Sequence, residues 1–281
     1  MNIVHFFATV PAMTATGQES DAALAGRLAE AAGALLLTVR AAESTGELGA
    51  RGDRAAHEFL ARELRDHRPR DVVFSEEGLD DHRRLGADRV WIVDPLDGTR
   101  EFAEPGRTDW AVHVALWSAD AGTDADTNTD TDAATGRLVA GAVALPALGR
   151  TYATDPPPPT LTEPQPVPKL ITVSRTRPPS VAQRVAAELD AELVPMGSAG
   201  AKVMAVVRGE VDAYLHAGGQ YEWDSAAPVA VARAAGLHAS RLNGAELLYN
   251  RPDPRLPDLL VCRPEHAATL LAAIAGSEAR S

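Results

Sequence analysis

Apolar residues recur every three to four positions over residues 21–40, in a stretch rich in Ala and Leu, and this spacing predicts an amphipathic helix. A second helix is expected over residues 53–67, with Asp53 at its cap or in its first turn. The period then shortens. Residues 71–74, 89–93 and 110–117 are short β-branched runs bounded by turn residues, which predicts strands. Residues 118–137 are almost wholly Asp, Thr, Ala and Gly, a composition unable to bury enough apolar surface to order itself, and they are expected to form a disordered hairpin insertion.

Strands are expected at 138–145 and 170–174, and between them the prolines of residues 155–168 predict an extended linker. Helices at 181–189, 199–208, 225–235 and 265–275 then alternate with strands at 213–215 and 259–262, the pattern of a layered α/β domain. The expected organisation is a loosely packed or disordered leader at 1–20, an α+β domain at 21–154, the linker, and an α/β domain at 169–281.

Composition narrows the function. A chain of 281 residues with 45% hydrophobic content can bury a substantial core. A net charge of -12 works against a nucleic-acid backbone or an anionic membrane as partner, and favours a small molecule. If that molecule is anionic, metal ions held by carboxylates would have to offset the protein's own field. Cys262 is the single cysteine, so no internal disulfide can form, and a reducing cytoplasm is the expected compartment. Residues 1–15 are apolar but lack a basic start and are too short to span a bilayer.

The densest chemical signal runs from Trp91 to Thr99: an apolar strand ends in Asp94-Pro95-Leu96-Asp97-Gly98-Thr99. Pro95 breaks the ladder and turns the chain, and the two acids are hard oxygen donors of the kind Mg²⁺ prefers. Asp-Pro and Asp-Gly are also ordinary turn dipeptides. Glu76 and Glu77 follow the preceding strand, whose end should fall at the same sheet edge. Glu222-Trp223-Asp224-Ser225-Ala226-Ala227-Pro228 opens a later helix, where Asp224 is either an N-cap or a further ligand.

Together, Glu76-Glu77, Asp94 to Thr99, and Trp223 to Ala227 resemble, in order and spacing, the three signature blocks of the inositol monophosphatase superfamily. Thr99-Arg100-Glu101-Phe102, the Glu before Trp223-Asp224, and Gly197-Ser198-Ala199-Gly200-Ala201-Lys202 look most like its CysQ-type 3'(2'),5'-bisphosphate nucleotidases. The resemblance implies an αβαβα layered sandwich, an α+β domain followed by an α/β domain, with a cleft between them. It also implies a Mg²⁺-dependent phosphatase holding two or three ions and removing the 3'-phosphate of 3'-phosphoadenosine 5'-phosphate. A homodimer and lithium inhibition are further family expectations.

Carried over by position, Glu76, Asp94, Asp97 and Asp224 would be side-chain metal ligands, with the Leu96 carbonyl a fifth. Glu77 and Asp53 would sit beside a more weakly held ion, and Asp53 with Thr99 would orient or deprotonate the attacking water. The Gly98 and Thr99 amides would face the phosphate. Ser198 and Lys202 suit a second phosphate or ribose, and Ser174 and Arg175 the nucleotide, each with a capping or solvated role as the alternative. Arg100 is a surface charge or a contact, Trp223 core packing or an adenine neighbour, and His57, His113 and His216 are expected to be structural or exposed.

Where many members have Thr-x-Ala-Asp, this chain has Gly49-Ala50-Arg51-Gly52-Asp53, keeping the Asp and losing the Thr, and a lysine slightly upstream is not evident. Competing expectations are a broader phosphatase of inositol phosphates or fructose 1,6-bisphosphate, a sugar or nucleotide phosphatase of a secondary pathway, and a catalytically silent relative that binds a phosphorylated ligand.

Overall fold

Leu24, Leu28, Ala32 and Leu36 form a helically spaced apolar stripe on α1 (Asp21–Ala42), and all four are fully buried. The computed structural model describes residues 19–42, 47–80, 82–119, 136–162 and 166–278. α1 and α2 (Leu48–His67) cover one face of a sheet of five strands in the order β1 (Val72–Ser75), β2 (Arg89–Asp97), β3 (Ala111–Ser118), β4 (Arg137–Leu145) and β5 (Arg150–Ala153). In this sheet only β1 and β2 pair in parallel. α1 is long and apolar enough to cross a bilayer, yet its stripe packs against this sheet.

Alternation along β2 explains why it is apolar throughout. Trp91 and Val93 join the α1–α2 core, while Val90 and Ile92 face the opposite side. That opposite side packs on α5 (Ala199–Val207) and α6 (Glu222–Ala234), whose far faces meet a second sheet ordered β7-β6-β8-β10-β9. Its strands are β6 (Leu170–Ser174), β7 (Glu192–Met196), β8 (Ala213–Tyr221), β9 (His238–Ser240) and β10 (Arg255–Cys262). α4 (Ser180–Leu189) and α7 (Ala267–Glu278) close the outer face over Ile171, Leu215 and Leu260. The five layers are therefore αβαβα, with each sheet buried on both sides and a short helix α3 (Thr99–Ala103) at the end of β2.

Several elements differ from the sequence expectation. α2 starts at Leu48, so Asp53 lies in the second turn instead of at the cap. Packing overrides the poor helix propensity of Gly49 and Gly52 here: a Cβ on Gly52 would lie 2.8 Å from Phe102 and 2.9 Å from Leu96. β8 runs to Tyr221 and passes directly into α6 at Glu222, three residues before the expected helix start. Strands β5, β7 and β9 were not expected; they are short and only partly buried, and give weak patterns. Ser118 and Arg137 are the paired ends of β3 and β4, and the rest of the expected insertion, residues 120–135, lies outside the described residues, as does the leader up to residue 18. The described residues between 155 and 168 carry no helix or strand.

Candidate active site

In a regular strand, residues three apart point to opposite faces. Asp94 and Asp97 escape that rule because β2 slips against β3 between them: Asp94 pairs His113 but Asp97 pairs Ala111, so three steps on one strand meet two on the other. The extra residue falls at the Pro95 segment and brings both carboxylates to one side. Asp224, third residue of α6, completes a trio whose carboxylate oxygens lie within 4.8 Å of one another.

The hydrogen bonds found for each acid go to one oxygen only. Asp94 Oδ1 accepts from the Leu96 amide at 3.0 Å, and Asp224 Oδ2 from the Tyr221 amide at 2.6 Å. Asp97 Oδ2 accepts from the Ser198 hydroxyl at 2.5 Å and the Gly200 amide at 2.7 Å, with His113 Nε2 3.3 Å away. Asp94 Oδ2 is buried and, among the described residues, has no hydrogen-bond partner, with His113 Nδ1 4.0 Å away. A buried carboxylate oxygen left unpaired beside two other acids is costly unless a cation meets it, so this donor set fits Mg²⁺.

Electrostatics point the same way. Burial, followed by the charges of Glu76, Asp97 and Asp224, raises the Asp94 carboxyl well above the usual range. Burial and Asp97 push Asp224 up to about 7. Glu76 is exposed as a residue, but enough protein surrounds its carboxylate that partial burial, Asp97 and Asp53 push it up to about 7. Asp97 goes the other way: burial would raise it, but the His113 contact, Lys202 and the Ser198 hydrogen bond hold it below its ordinary value. Without a cation the cluster cannot carry all its charges at once.

Asp53 faces Thr99 from α2, with the Thr99 hydroxyl 3.4 Å from Asp53 Oδ1 and 3.2 Å from the Leu96 carbonyl. Burial and then Glu77 push Asp53 up to about 7. α2 approaches Thr99 closely at Gly49, where an added Cβ would stand 2.6 Å from the Thr99 methyl, while the position of the missing Thr is held by Ala50. Gly98 adopts φ +88°, and its added Cβ would press on Ser198, Asp109 and Trp110 at 3.2–3.3 Å.

Glu76, Gly98, Thr99, Ser174, Arg175, Ser198 and Lys202 all line one cleft of about 370 Å³, with Arg100 and Arg177. A larger cavity of about 950 Å³, lined by residues such as Glu19, Arg68 and Asp88, shares no residue with the acids and holds mutually paired charges such as Arg68 with Asp21. Within the site cleft, Arg175 is tied to Glu101 at 2.7 Å and Glu104 at 2.9 Å. Lys202, 4% exposed, donates to the carbonyls of Gly197 (3.1 Å) and Ser198 (2.6 Å), and burial lowers it to about 8. The Ser174 hydroxyl accepts from the Arg177 amide at 3.3 Å.

Two contributors have no role at the site in the sequence reading: His113, expected only to be structural or exposed, and Asp109, which is not singled out there. His113 is fully buried, bridging the Trp223 carbonyl (3.1 Å) and Asp97, and its only signal is a lone imidazole inside an apolar strand. Asp109 accepts from the Gly197 amide at 2.6 Å and pairs with Arg107, so it anchors the loop that carries Ser198.

Comparison with known proteins adds four findings. A model of the inositol monophosphatase family matches residues 12–279. The chain is 53% identical over 266 residues to the 3'-phosphoadenosine 5'-phosphate phosphatase of Mycobacterium leprae, spanning 91% of this chain and 93% of that one. It is 31% identical over 208 residues to the 3'(2'),5'-bisphosphate nucleotidase CysQ of Escherichia coli K12, 70% of this chain and 77% of that one. Among solved structures, an inositol monophosphatase from Zymomonas mobilis shares the fold with a TM-score of 0.71 at 21% identity, covering 91% of this chain and 97% of that one.

Proposed function

The chain belongs to the inositol monophosphatase family, and from that membership we propose that it is a Mg²⁺-dependent phosphatase removing the 3'-phosphate of 3'-phosphoadenosine 5'-phosphate. The observation that carries this reading is the trio Asp94, Asp97 and Asp224 around the unpartnered Asp94 Oδ2, in a chain 53% identical over nearly its full length to a phosphatase of that substrate.

Asp94, Asp97, Asp224, Glu76 and the Leu96 carbonyl would hold the metal, and Glu77 with Asp53 would flank a weaker ion. When bound, Mg²⁺ supplies a water of lowered pKa and offsets the negative charge of the phosphate. The protein's own part is orientation and proton handling. The Thr99 hydroxyl, set between Asp53 and the Leu96 carbonyl, fixes the direction of a water that Asp53 can deprotonate, with Glu77 beside it. The Gly98 and Thr99 backbone at the start of α3 offers amides to the phosphate. No serine or cysteine nucleophile is needed.

Lys202, Ser198, Ser174 and Arg175 would meet the rest of the nucleotide in the cleft, where Lys202 adds a positive charge beside the acids. A cytoplasmic setting, a homodimer and lithium inhibition belong to the same reading. The test compares phosphate release from 3'-phosphoadenosine 5'-phosphate, inositol 1-phosphate and fructose 1,6-bisphosphate as kcat/KM, with Mg²⁺ and with a chelator. The nucleotide should win and the chelator should abolish turnover; preference for either other substrate would refute the nucleotide assignment.

A further inference from the structure

One buried arginine links the two segments that deliver Glu76 and Asp224 to the site. Asp94 and Asp97 share the rigid strand β2, but Glu76 follows β1 in a loop and Asp224 arrives on α6 from the second half of the chain. Their registry therefore needs a link between the 76–80 loop and the start of α6. Arg84, in the turn Arg83–Gly86, is 1% exposed and supplies one.

On one side its guanidinium grips Asp80 with both Nε (3.0 Å) and an Nη (2.8 Å), four residues after Glu76. On the other, it donates to Asn250 Oδ1 at 3.0 Å, while the Asn250 side-chain amide donates back to the Arg84 carbonyl at 3.0 Å. Asn250, held at φ +58°, then donates its backbone N–H to Glu222 at 2.7 Å, and Arg251 donates to the other Glu222 oxygen at 2.8 Å. Glu222 opens α6 two residues before Asp224. A second route runs through rings: the Arg84 guanidinium lies 4.1 Å over Phe74, and Phe74 meets Trp223 edge-on at 5.3 Å. Trp223 is the neighbour of Asp224, and its carbonyl contacts His113.

A buried guanidinium is expensive and is no gain over apolar packing for stability alone. Among the described residues, its contacts lead to Asp80 and Phe74, four and two residues from Glu76, and through Asn250 to Glu222, two residues from Asp224. We propose that Arg84, acting through Asp80, Asn250 and Glu222, is a positioning residue that sets how Glu76 and Asp224 approach Asp94 for metal binding. The proposal rests on the metal-dependent reading above.

The test measures Mn²⁺ binding by electron paramagnetic resonance on the full chain without substrate, so that it is independent of which phosphate ester is turned over. Arg84→Lys, which keeps charge but not the two-sided fork, should weaken Mn²⁺ about tenfold while the metal-free protein still unfolds cooperatively. Asp80→Asn, on a partly exposed loop side chain and hence tolerant of change, should weaken it by roughly threefold or more, and Asp80→Glu should recover most of that loss. Folded variants binding Mn²⁺ within about twofold of the parent would overturn the positioning role, as would a fall in kcat at saturating metal with unchanged Mn²⁺ affinity. A parent chain that binds no Mn²⁺ would overturn the metal site itself, and this role with it.

Discussion

The Ser198 hydroxyl lies 2.5 Å from Asp97 Oδ2, joining the loop before α5 to the end of β2, 101 residues earlier in the chain. The hydroxyl hydrogen is directed at the acid, and its oxygen accepts from the Ala201 amide at 3.0 Å as the cap of α5. Ser198 thus sits at the cleft wall with its hydrogen already committed to a metal-site carboxylate. Ser198→Ala should therefore raise the Mg²⁺ concentration for half-maximal activity by about three- to tenfold, with a smaller change in substrate KM at saturating Mg²⁺. Steady-state titration in Mg²⁺ reads the split; a change confined to KM would make Ser198 a substrate contact alone.

Asp94, Asp224, Asp53 and Glu76 all have folded-state pKa values raised above their ordinary ones. A raised acid binds more protons folded than unfolded, so its contribution to stability is full below the ordinary value near 4 and is lost as pH rises through the folded value. The window runs from about 4 to about 7 for Asp53, Glu76 and Asp224, and further for Asp94. The metal-free protein should lose roughly 5 °C or more in Tm between pH 5 and 8, and Mg²⁺ should restore much of it at pH 8. Scanning calorimetry in chelator at several pH values reads both effects.

Asp94→Asn separates the acid's two consequences. Turnover should fall by about 10³-fold or more, since metal-based charge stabilisation is worth several kcal/mol. The metal-free Tm should rise, because a buried carboxylate repelled by Glu76, Asp97 and Asp224 is gone. Substantial residual turnover would remove Asp94 from the site.

Gly98→Ala should cost about 2 kcal/mol in urea unfolding, from the positive φ and the tight approach of Ser198, Asp109 and Trp110. It should also lower kcat more than it raises KM, because Thr99 next to it would be displaced from Asp53. An unfolding midpoint equal to the parent's would show that the turn relaxes freely.

The strongest elements were legible because they obey simple periods: the α1 stripe repeats helically, and β2 and β3 are apolar on both faces, as strands covered on both sides must be, whereas the αβαβα layering came with the family resemblance. The edge strands β5, β7 and β9 were not, since short half-exposed runs such as Arg150–Ala153 carry no strong alternation. The acids were legible as motifs, but their convergence depends on the slip at Pro95, which has no hydropathy signature. Contacts between distant segments were the least legible. Nothing local to His113, Asp109 or Arg84 announces a partner 88 or more residues away, yet they meet Trp223 (110 residues on), Gly197 (88 on) and Asn250 (166 on).

The pairing of Ser118 with Arg137 has a practical corollary. β3 leaves the sheet beside Arg89, at the beginning of β2, while Asp94 is five residues further along that strand, about 17 Å away at the rise of an extended chain. The 120–135 connection therefore attaches at the end of the sheet remote from the carboxylates, and a biotin acceptor peptide or a fluorescent reporter exchanged for it would tether the enzyme to a surface with its cleft facing away from the support.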